Sequence, residues 1–387
     1  MRLRMTTAGE SHGPGLSCIV EGLPAGLLLD REALDEDMAR RQLGHGRGGR
    51  MRIERDRVEV TAGVRHGRTL GSPVALQVAN RDHGNWAERM SPWPVDAEIP
   101  EVHLPRPGHA DLAGLLKYGH RDVRDVLERA SARETAARVA GGAVAKALLR
   151  ALDVEVRSHV TRIGDVATDV RPRELAAFAA VDESPVRCLD PEAAAAMVDH
   201  ITRQRKANES IGGVWEVVVL GLPVGLGSHV SWEERLDGRL AAAVCSIQAC
   251  KGVEFGDGFA LAARPGSAAH DEIFPGLVRH TNHAGGLEGG MTTGEPLVIR
   301  GAMKPIPTLT RPLRSVDLGT GEAAAALRER TDSCVVPAAA VVGEAMIALV
   351  LADAVLRKFG GDHLDDVRAA LAAYRERCAA LVPVAAA

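Results

Sequence analysis

Four short polar segments in the first 135 residues carry side chains able to do chemistry. Gly9-Glu10-Ser11-His12-Gly13 sets an imidazole among small residues that let a ligand approach the backbone, and His12 can transfer a proton near neutral pH. Alone, the segment is as readily a surface turn. Gly9, Ser11 and Gly13 also have the spacing of a hydrolase nucleophile, but they follow the first strand-like stretch rather than joining a strand to a helix, which disfavours that alternative. Arg40-Arg41-Gln42-Leu43-Gly44-His45-Gly46-Arg47-Gly48-Gly49-Arg50 interleaves arginines with four glycines. Such a backbone can wrap an anion while guanidinium forks bind its oxygens in pairs. Seven arginines stand against only Glu54 and Asp56 between Arg40 and Arg57, which implies a phosphorylated or polyanionic ligand. An RNA-binding Arg-Gly segment is the competing reading; the strand-like sequence that follows favours an ordered loop.

Arg106-Pro107-Gly108-His109-Ala110-Asp111 is a turn signal in which proline and glycine fix a second histidine. In Glu128 to Thr135, Arg129 and Arg133 fall at i and i+4 on one helical face, with Ser131 turned aside. Further along, Gly285-Gly286-Leu287-Glu288-Gly289-Gly290 suits contact with a flat ring or a phosphate. Lys304-Pro305-Ile306-Pro307-Thr308 is a rigid extended segment, and Arg330-Thr331-Asp332-Ser333 offers a carboxylate just before a long apolar helix. His280 and His283 have metal-ligand spacing without a Cys or carboxylate cluster to complete a site, so no metal is expected.

The elements that must position these groups alternate in type. Strand-like alternation marks Val58 to Val64, Val74 to Val78 and Val214 to Leu220. Helical periodicity predicts helices over Asp122 to Leu152, Pro191 to Arg205, Glu233 to Ile247, Val336 to Lys358 and Leu364 to Cys378, with Asp190 and Ser231 near the starts of the second and third. The pair Gly141 and Gly142 would let another backbone come close. Short strands beside long alanine-rich helices recur in both halves, which points to an α+β layered body with two related halves. With no linker-like stretch, 387 residues read as one domain, 1–387, whose tail from Leu381 to Ala387 frays.

Composition narrows the function. A net charge of −4 argues against a protein built to bind nucleic acid. Only six lysines accompany the many arginines, so Lys304 stands out where a lone arginine does not. Aromatics are 3% of the chain, so a planar cofactor would be held by backbone, small and aliphatic groups. Six scattered cysteines read as reduced core thiols. No secretory leader opens the sequence, which predicts a cytosolic protein. Glu344 and Asp353 interrupt the apolar stretch Val335 to Leu356, so a buried helix is expected rather than a membrane span.

In order and spacing, these segments resemble the chorismate synthase family from Thr7 to about Gly360. The phrases that carry the resemblance are Gly9 to Gly13, Gly46-Arg47-Gly48-Gly49-Arg50-Met51, Arg106 to Asp111 and Ala130-Ser131-Ala132-Arg133-Glu134-Thr135-Ala136-Ala137-Arg138. The resemblance implies a β-α-β sandwich with antiparallel sheets and internal pseudo-symmetry, assembled as a homotetramer with FMN near subunit contacts. It implies an anti-1,4-elimination of phosphate from 5-enolpyruvylshikimate 3-phosphate (EPSP), giving chorismate with reduced FMN and no net redox change. By matching position, His109 protonates the departing phosphate, His12 protonates the reduced flavin, and Asp332 is associated with proton removal. FMN binding falls to Arg129, Ala130, Ser131, Gln248, Ala249, Gly289, Lys304, Pro305, Ile306, Pro307, Thr308 and Arg330. Arg41 and Arg47 match positions for NADPH or anion contact, and with Ser11, Arg50 and Arg133 they would hold the substrate's anionic groups. Two departures stand out. His45 replaces the family's usual tyrosine, where substrate packing could differ, and Asn80 to Pro94, with Trp86 and Trp93, is atypical; neither is expected to touch the proton-transfer groups. The same loops could serve a flavin oxidoreductase acting on a phosphorylated substrate, and Arg40 to Arg57 a nucleic-acid binder; phosphate release without oxidant consumption and salt-sensitive affinity would distinguish them.

Overall fold

The computed structural model describes residues 3–48, 55–329 and 332–381; Arg50 and Arg330 of the expected site lie outside them. Two antiparallel sheets flank a central pair of helices. The first sheet is built from β1 (Arg4–Ala8), β2 (Gly15–Glu21), β3 (Glu59–Ala62) and β4 (Val74–Ala79), in the spatial order β1-β2-β4-β3. Alternation decides its faces: Leu16, Cys18 and Val20 of β2 and Val74, Leu76 and Val78 of β4 are buried, while their neighbours turn outward. The second sheet contains β5 (Glu155–Ile163), the short β6 (Val166–Ala167), β7 (Gly213–Leu220), β8 (Cys250–Phe255) and β9 (Leu297–Met303), ordered β8-β9-β7-β5-β6. Central β7 is buried on both faces, because Phe178 and Val181 cover Val218 on the side away from Trp215 and Val217.

The helices of seven residues or more among the described residues are, in chain order, α1 (Arg31–Gln42), α2 (Asp111–Tyr118), α3 (Arg124–Ala130), α4 (Thr135–Arg150), α5 (Pro191–Lys206), α6 (Leu236–Cys245), α7 (Val336–Phe359) and α8 (Leu364–Ala380). α4 lies under the first sheet, α7 under the second, and the two helices pack on each other. Gly142 makes that approach possible, since a Cβ there would sit 2.2 Å from that of Ala345. Each half of the chain thus supplies an antiparallel sheet and a long apolar helix to one contiguous core, and the expected α+β sandwich holds.

Three expectations need correction. The helix predicted over Asp122 to Leu152 is broken: Ser131 adopts extended geometry (φ −62°, ψ 143°), its Oγ accepts from the Arg133 N–H, and a 3-10 turn at Ala132–Glu134 precedes α4. Arg129 and Arg133 therefore do not share a face. The helix predicted from Glu233 begins only at Leu236, after a separate 3-10 turn in which Ser231 makes no side-chain cap. Asp190 does cap α5, accepting from the N–H groups of Glu192 and Ala193. The apolar α7 is long enough to cross a bilayer, yet 89% of its most hydrophobic window is buried inside the protein. All six cysteines are free thiols.

Buried charge ties these layers together. Glu344 of α7 accepts from Arg40 of α1 at 2.8 Å (two bonds), Lys146 of α4 at 2.8 Å and Ser158 of β5 at 2.6 Å. These cations outweigh burial, which alone would raise the Glu344 carboxyl, and hold it well below the usual range.

Candidate active site

A cavity of about 990 Å³ opens where the first turns of α4 and α7 meet the Gly9–Gly13 loop, the 106–110 turn and the end of α6. Both helix N-termini set the positive end of a helix dipole at the cavity, which favours an anion. The cavity gathers most of the expected residues from remote parts of the chain: Ser11, His12, Arg41, Arg47, His109, Ala130, Ser131, Arg133, Gln248, Ala249, Lys304, Ile306, Pro307, Thr308 and Asp332. Ser131, expected to turn aside, faces it and donates to Ser11 Oγ at 3.2 Å. Three expected residues are not among its lining. Arg129 is exposed and bonds the carbonyls of Thr7 and Gly9. Pro305 lies between lining residues, and Gly289 sits in the hairpin Leu287–Thr292, where a Cβ would meet only Met291 and His229.

Each histidine is backed by a buried carboxylate. His12 Nδ1 lies 2.9 Å from Glu128 Oε1, and its backbone N–H donates to Glu128 Oε2 at 2.9 Å. His109 Nδ1 lies 2.5 Å from Asp111 Oδ1. A charged carboxylate makes Nδ1 the donor, which defines the tautomer. Arginines complete both pairs: Arg106 forks onto Asp111 through Nε at 2.8 Å and Nη2 at 3.1 Å, and Arg124 Nη1 donates to Glu128 Oε1 at 3.2 Å. Burial alone would raise both carboxyls; the hydrogen bonds and charges of the histidines and arginines prevail and hold Glu128 low and Asp111 well below the usual carboxylate range.

The anion-binding side is built on Asp56. Arg133 Nη1 bonds both Asp56 oxygens at 2.7 Å and its Nε donates to Asn80 Oδ1 at 2.8 Å. Arg41 reaches Thr135 Oγ1 at 3.1 Å and approaches Asp56 only to 3.6 Å, leaving its buried Nη1 without a hydrogen bond among the described residues. Burial first, and then the Arg133 and Arg47 charges against partial relief from Asp56, push Arg41 down to about 9. An arriving anion would relieve that strain. Adjacent in sequence, Arg40 and Arg41 thus serve opposite purposes, one in the core network and one in the cavity. Arg47 pairs with Asp332 at 3.0 Å, and the Gly48 N–H donates to Asp332 at 2.5 Å. Lys304 donates to the Gly108 carbonyl at 2.5 Å, bracing the turn that carries His109.

The 80–94 loop does reach His12, contrary to expectation. Asn80 donates to the Glu10 and Gly13 carbonyls at 3.0 and 2.8 Å, His83 Nδ1 bonds the His12 carbonyl at 2.9 Å, and Trp86 stacks on the His12 ring with centroids 4.0 Å apart. Arg124 lies over the same indole at 4.8 Å. His45, by contrast, turns to Thr202 at 3.0 Å and is not part of the lining. His283 faces Asp257 at 2.6 Å, and among the described residues no group of three His, Cys, Asp or Glu could hold a metal.

A family model described as chorismate synthase matches residues 3–356. The chain belongs to the chorismate synthase family. It is 59% identical over 382 residues to the chorismate synthase of Rubrobacter xylanophilus, covering 97% of each chain. It is also 59% identical over 378 residues to that of Moorella thermoacetica, covering 97% of this chain and 98% of the relative. A solved structure titled "Crystal Structure of Chorismate Synthase" superposes with a TM-score of 0.80 at 41% identity, covering 98% of this chain and 99% of that one. Membership makes the chain a lyase of the shikimate pathway that forms chorismate. In a chorismate synthase, the arginine-rich face of the cavity and the two carboxylate-backed histidines read as one site. Sequence reasoning gave roles to the histidines but none to Arg106, Asp111 and Glu128, which lie in the same quoted segments, and passed over Arg124; Arg124 and Glu128 at i and i+4 were the available signal.

Proposed function

We propose that the chain eliminates phosphate from EPSP with reduced FMN, and that His12, His109 and Asp332 carry its proton transfers. The observation supporting this most directly is the pair of carboxylate-backed histidines in one cation-lined cavity. Arg41, Arg47 and Arg133, with Ser11, would bind the carboxylates and phosphate of EPSP, which would offer Arg41 Nη1 a hydrogen-bond acceptor closer than Asp56. The residues fit FMN: the buried Gln248 Oε1 has no hydrogen-bond partner among the described residues, an acceptor of the kind a flavin ring N–H satisfies. Ala130, Ser131, Gln248, Ala249, Lys304, Ile306, Pro307 and Thr308 would hold it, and a bound reduced flavin would supply one-electron chemistry to the elimination.

His109 acts as general acid, passing a proton from Nε2 to the phosphate oxygen as the carbon–oxygen bond breaks; Asp111 holds its tautomer and stabilises the cationic form. Glu128 does the same for His12. Asp332, oriented by Arg47 and the Gly48 N–H, is the proton-accepting carboxylate. NADPH contact by Arg41 and Arg47, a cytoplasmic location, one domain and a homotetramer belong to the same reading. Large exposed apolar residues, Leu116, Val230, Trp232 and Phe259 among them, support assembly. No nucleic-acid or membrane partner and no metal enter it.

Anaerobic chorismate formation from EPSP with dithionite-reduced FMN tests the proposal. Turnover should require the flavin, and His109→Ala and His12→Ala should each lower kcat roughly 10²–10⁴-fold. Unchanged turnover in both variants would remove the histidine roles; no phosphate release by folded wild type would remove the reaction.

A further inference from the structure

The two histidines are joined by a continuous chain of charged groups that neither role requires. Behind His12 lie Glu128 and Arg124; behind His109 lie Asp111 and Arg106. Glu329 stands between the two arginines, accepting from Arg106 Nη1 at 3.3 Å and lying 3.7 Å from Arg124 Nη2. It borders the cavity and its side chain is only 23% exposed. Arg106 Nη1 also reaches Thr308 at 3.2 Å, and Arg124 is stacked on Trp86, so both arginines are held on more than one side. The run His12, Glu128, Arg124, Glu329, Arg106, Asp111, His109 alternates in charge, with Glu329 at its midpoint.

Resting on the reaction just proposed, we infer that Glu329 is a positioning residue shared by both proton-transfer histidines, setting the charge that each feels through its arginine and carboxylate. Removing its charge leaves two guanidinium groups without the anion between them. Each then competes harder for its own carboxylate and adds positive charge beside an imidazole. Both changes disfavour the imidazolium, so His12 and His109 should titrate at lower pH together. Among the described residues, Glu128 and, across Trp86, Arg124 face His12, with His83 bonded to its carbonyl; Asp111 and Arg106 face His109, with Lys304 bonded to the adjacent Gly108 carbonyl. Among the described residues, Glu329 links the two sets through Arg106 and Arg124.

The test follows the pH dependence of diethyl pyrocarbonate modification, peptide by peptide by mass spectrometry, in wild type, Glu329→Gln and Glu329→Asp. The reagent attacks unprotonated imidazole, so each midpoint reports one histidine without any turnover. In Glu329→Gln the His12 and His109 midpoints should both fall by roughly 0.5 pH unit, with His120 unmoved as an internal reference. Glu329→Asp should recover part of the shift. The alkaline limb of kcat, where His109 loses the proton it must donate, should move to lower pH by a similar amount. The inference is overturned if only one midpoint moves, if neither moves, or if His120 moves equally. Failure of wild type to form chorismate would defeat the reaction while the modification midpoints still judge Glu329.

Discussion

Asp111 has no accessible surface, yet it stays ionised because Arg106 and His109 surround it. Its folded-state pKa is depressed, so the stability it contributes is fully present above the ordinary carboxylate value of about 3.9 and is lost as pH falls through the lower folded value. Asp111→Asn should therefore lower the Tm at pH 7, and thermal unfolding followed down the pH scale should show the gap to wild type closing below about pH 4. Trp86 gives a second test at this scale. Trp86→Ala removes the face against which His12 rests and should lower kcat roughly tenfold, whereas Trp86→Phe, which keeps an aromatic face, should retain most activity in the same assay. The sequence shows Trp86 plainly but not its contact, because the stacking depends on Asn80 reaching the Glu10 and Gly13 carbonyls, some seventy residues away. Glu128 was hidden for a different reason: charged groups at helical spacing are usually solvated, and only the docking of the Gly9–Gly13 loop buries this one.

Among the elements, α4 and α7 pack with no room for a side chain at Gly142. A side chain at Gly142 would occupy the space of Ala345, so Gly142→Val should destabilise the protein by about 3 kcal/mol or more, because neither helix can shift without disturbing the sheet beneath it. A urea titration would measure it, and a loss below about 0.5 kcal/mol would mean that the helices can separate. The glycine pair was legible beforehand because glycine inside an apolar helix has few other uses. The break at Ser131 was not, since apolar periodicity runs across it from Val126 to Val139; what ends α3 is the extended backbone of Ser131 itself and its bond to the Arg133 N–H. That break is also what separates the exposed Arg129 from Arg133, which is anchored beside the cavity.

Across the whole molecule, the Glu344 network joins α1, α4, α7 and β5 at once by charge and hydrogen bonds. Glu344→Ala would leave Arg40 and Lys146 buried without their shared anion and should cost about 3–5 kcal/mol. Because the network spans both halves, wild type and variant should each unfold in a single urea transition, the variant at lower concentration. Separate transitions for the two halves would show that each sheet-and-helix layer is stable alone. The sequence marks Glu344 as an interruption in an apolar run and so argues against a membrane span, but its partners lie 198 and 304 residues away, and only the folded layers reveal them.

Arg40 and Arg41 of α1 face different ways, one anchoring the core and the other opening on the cavity. An α-helix turns by about 100° per residue, so one residue gained or lost upstream within α1 would carry a different side chain into each place. Descendants of this gene can exchange letters along α1, but they cannot change its length there without giving up fold and chemistry together.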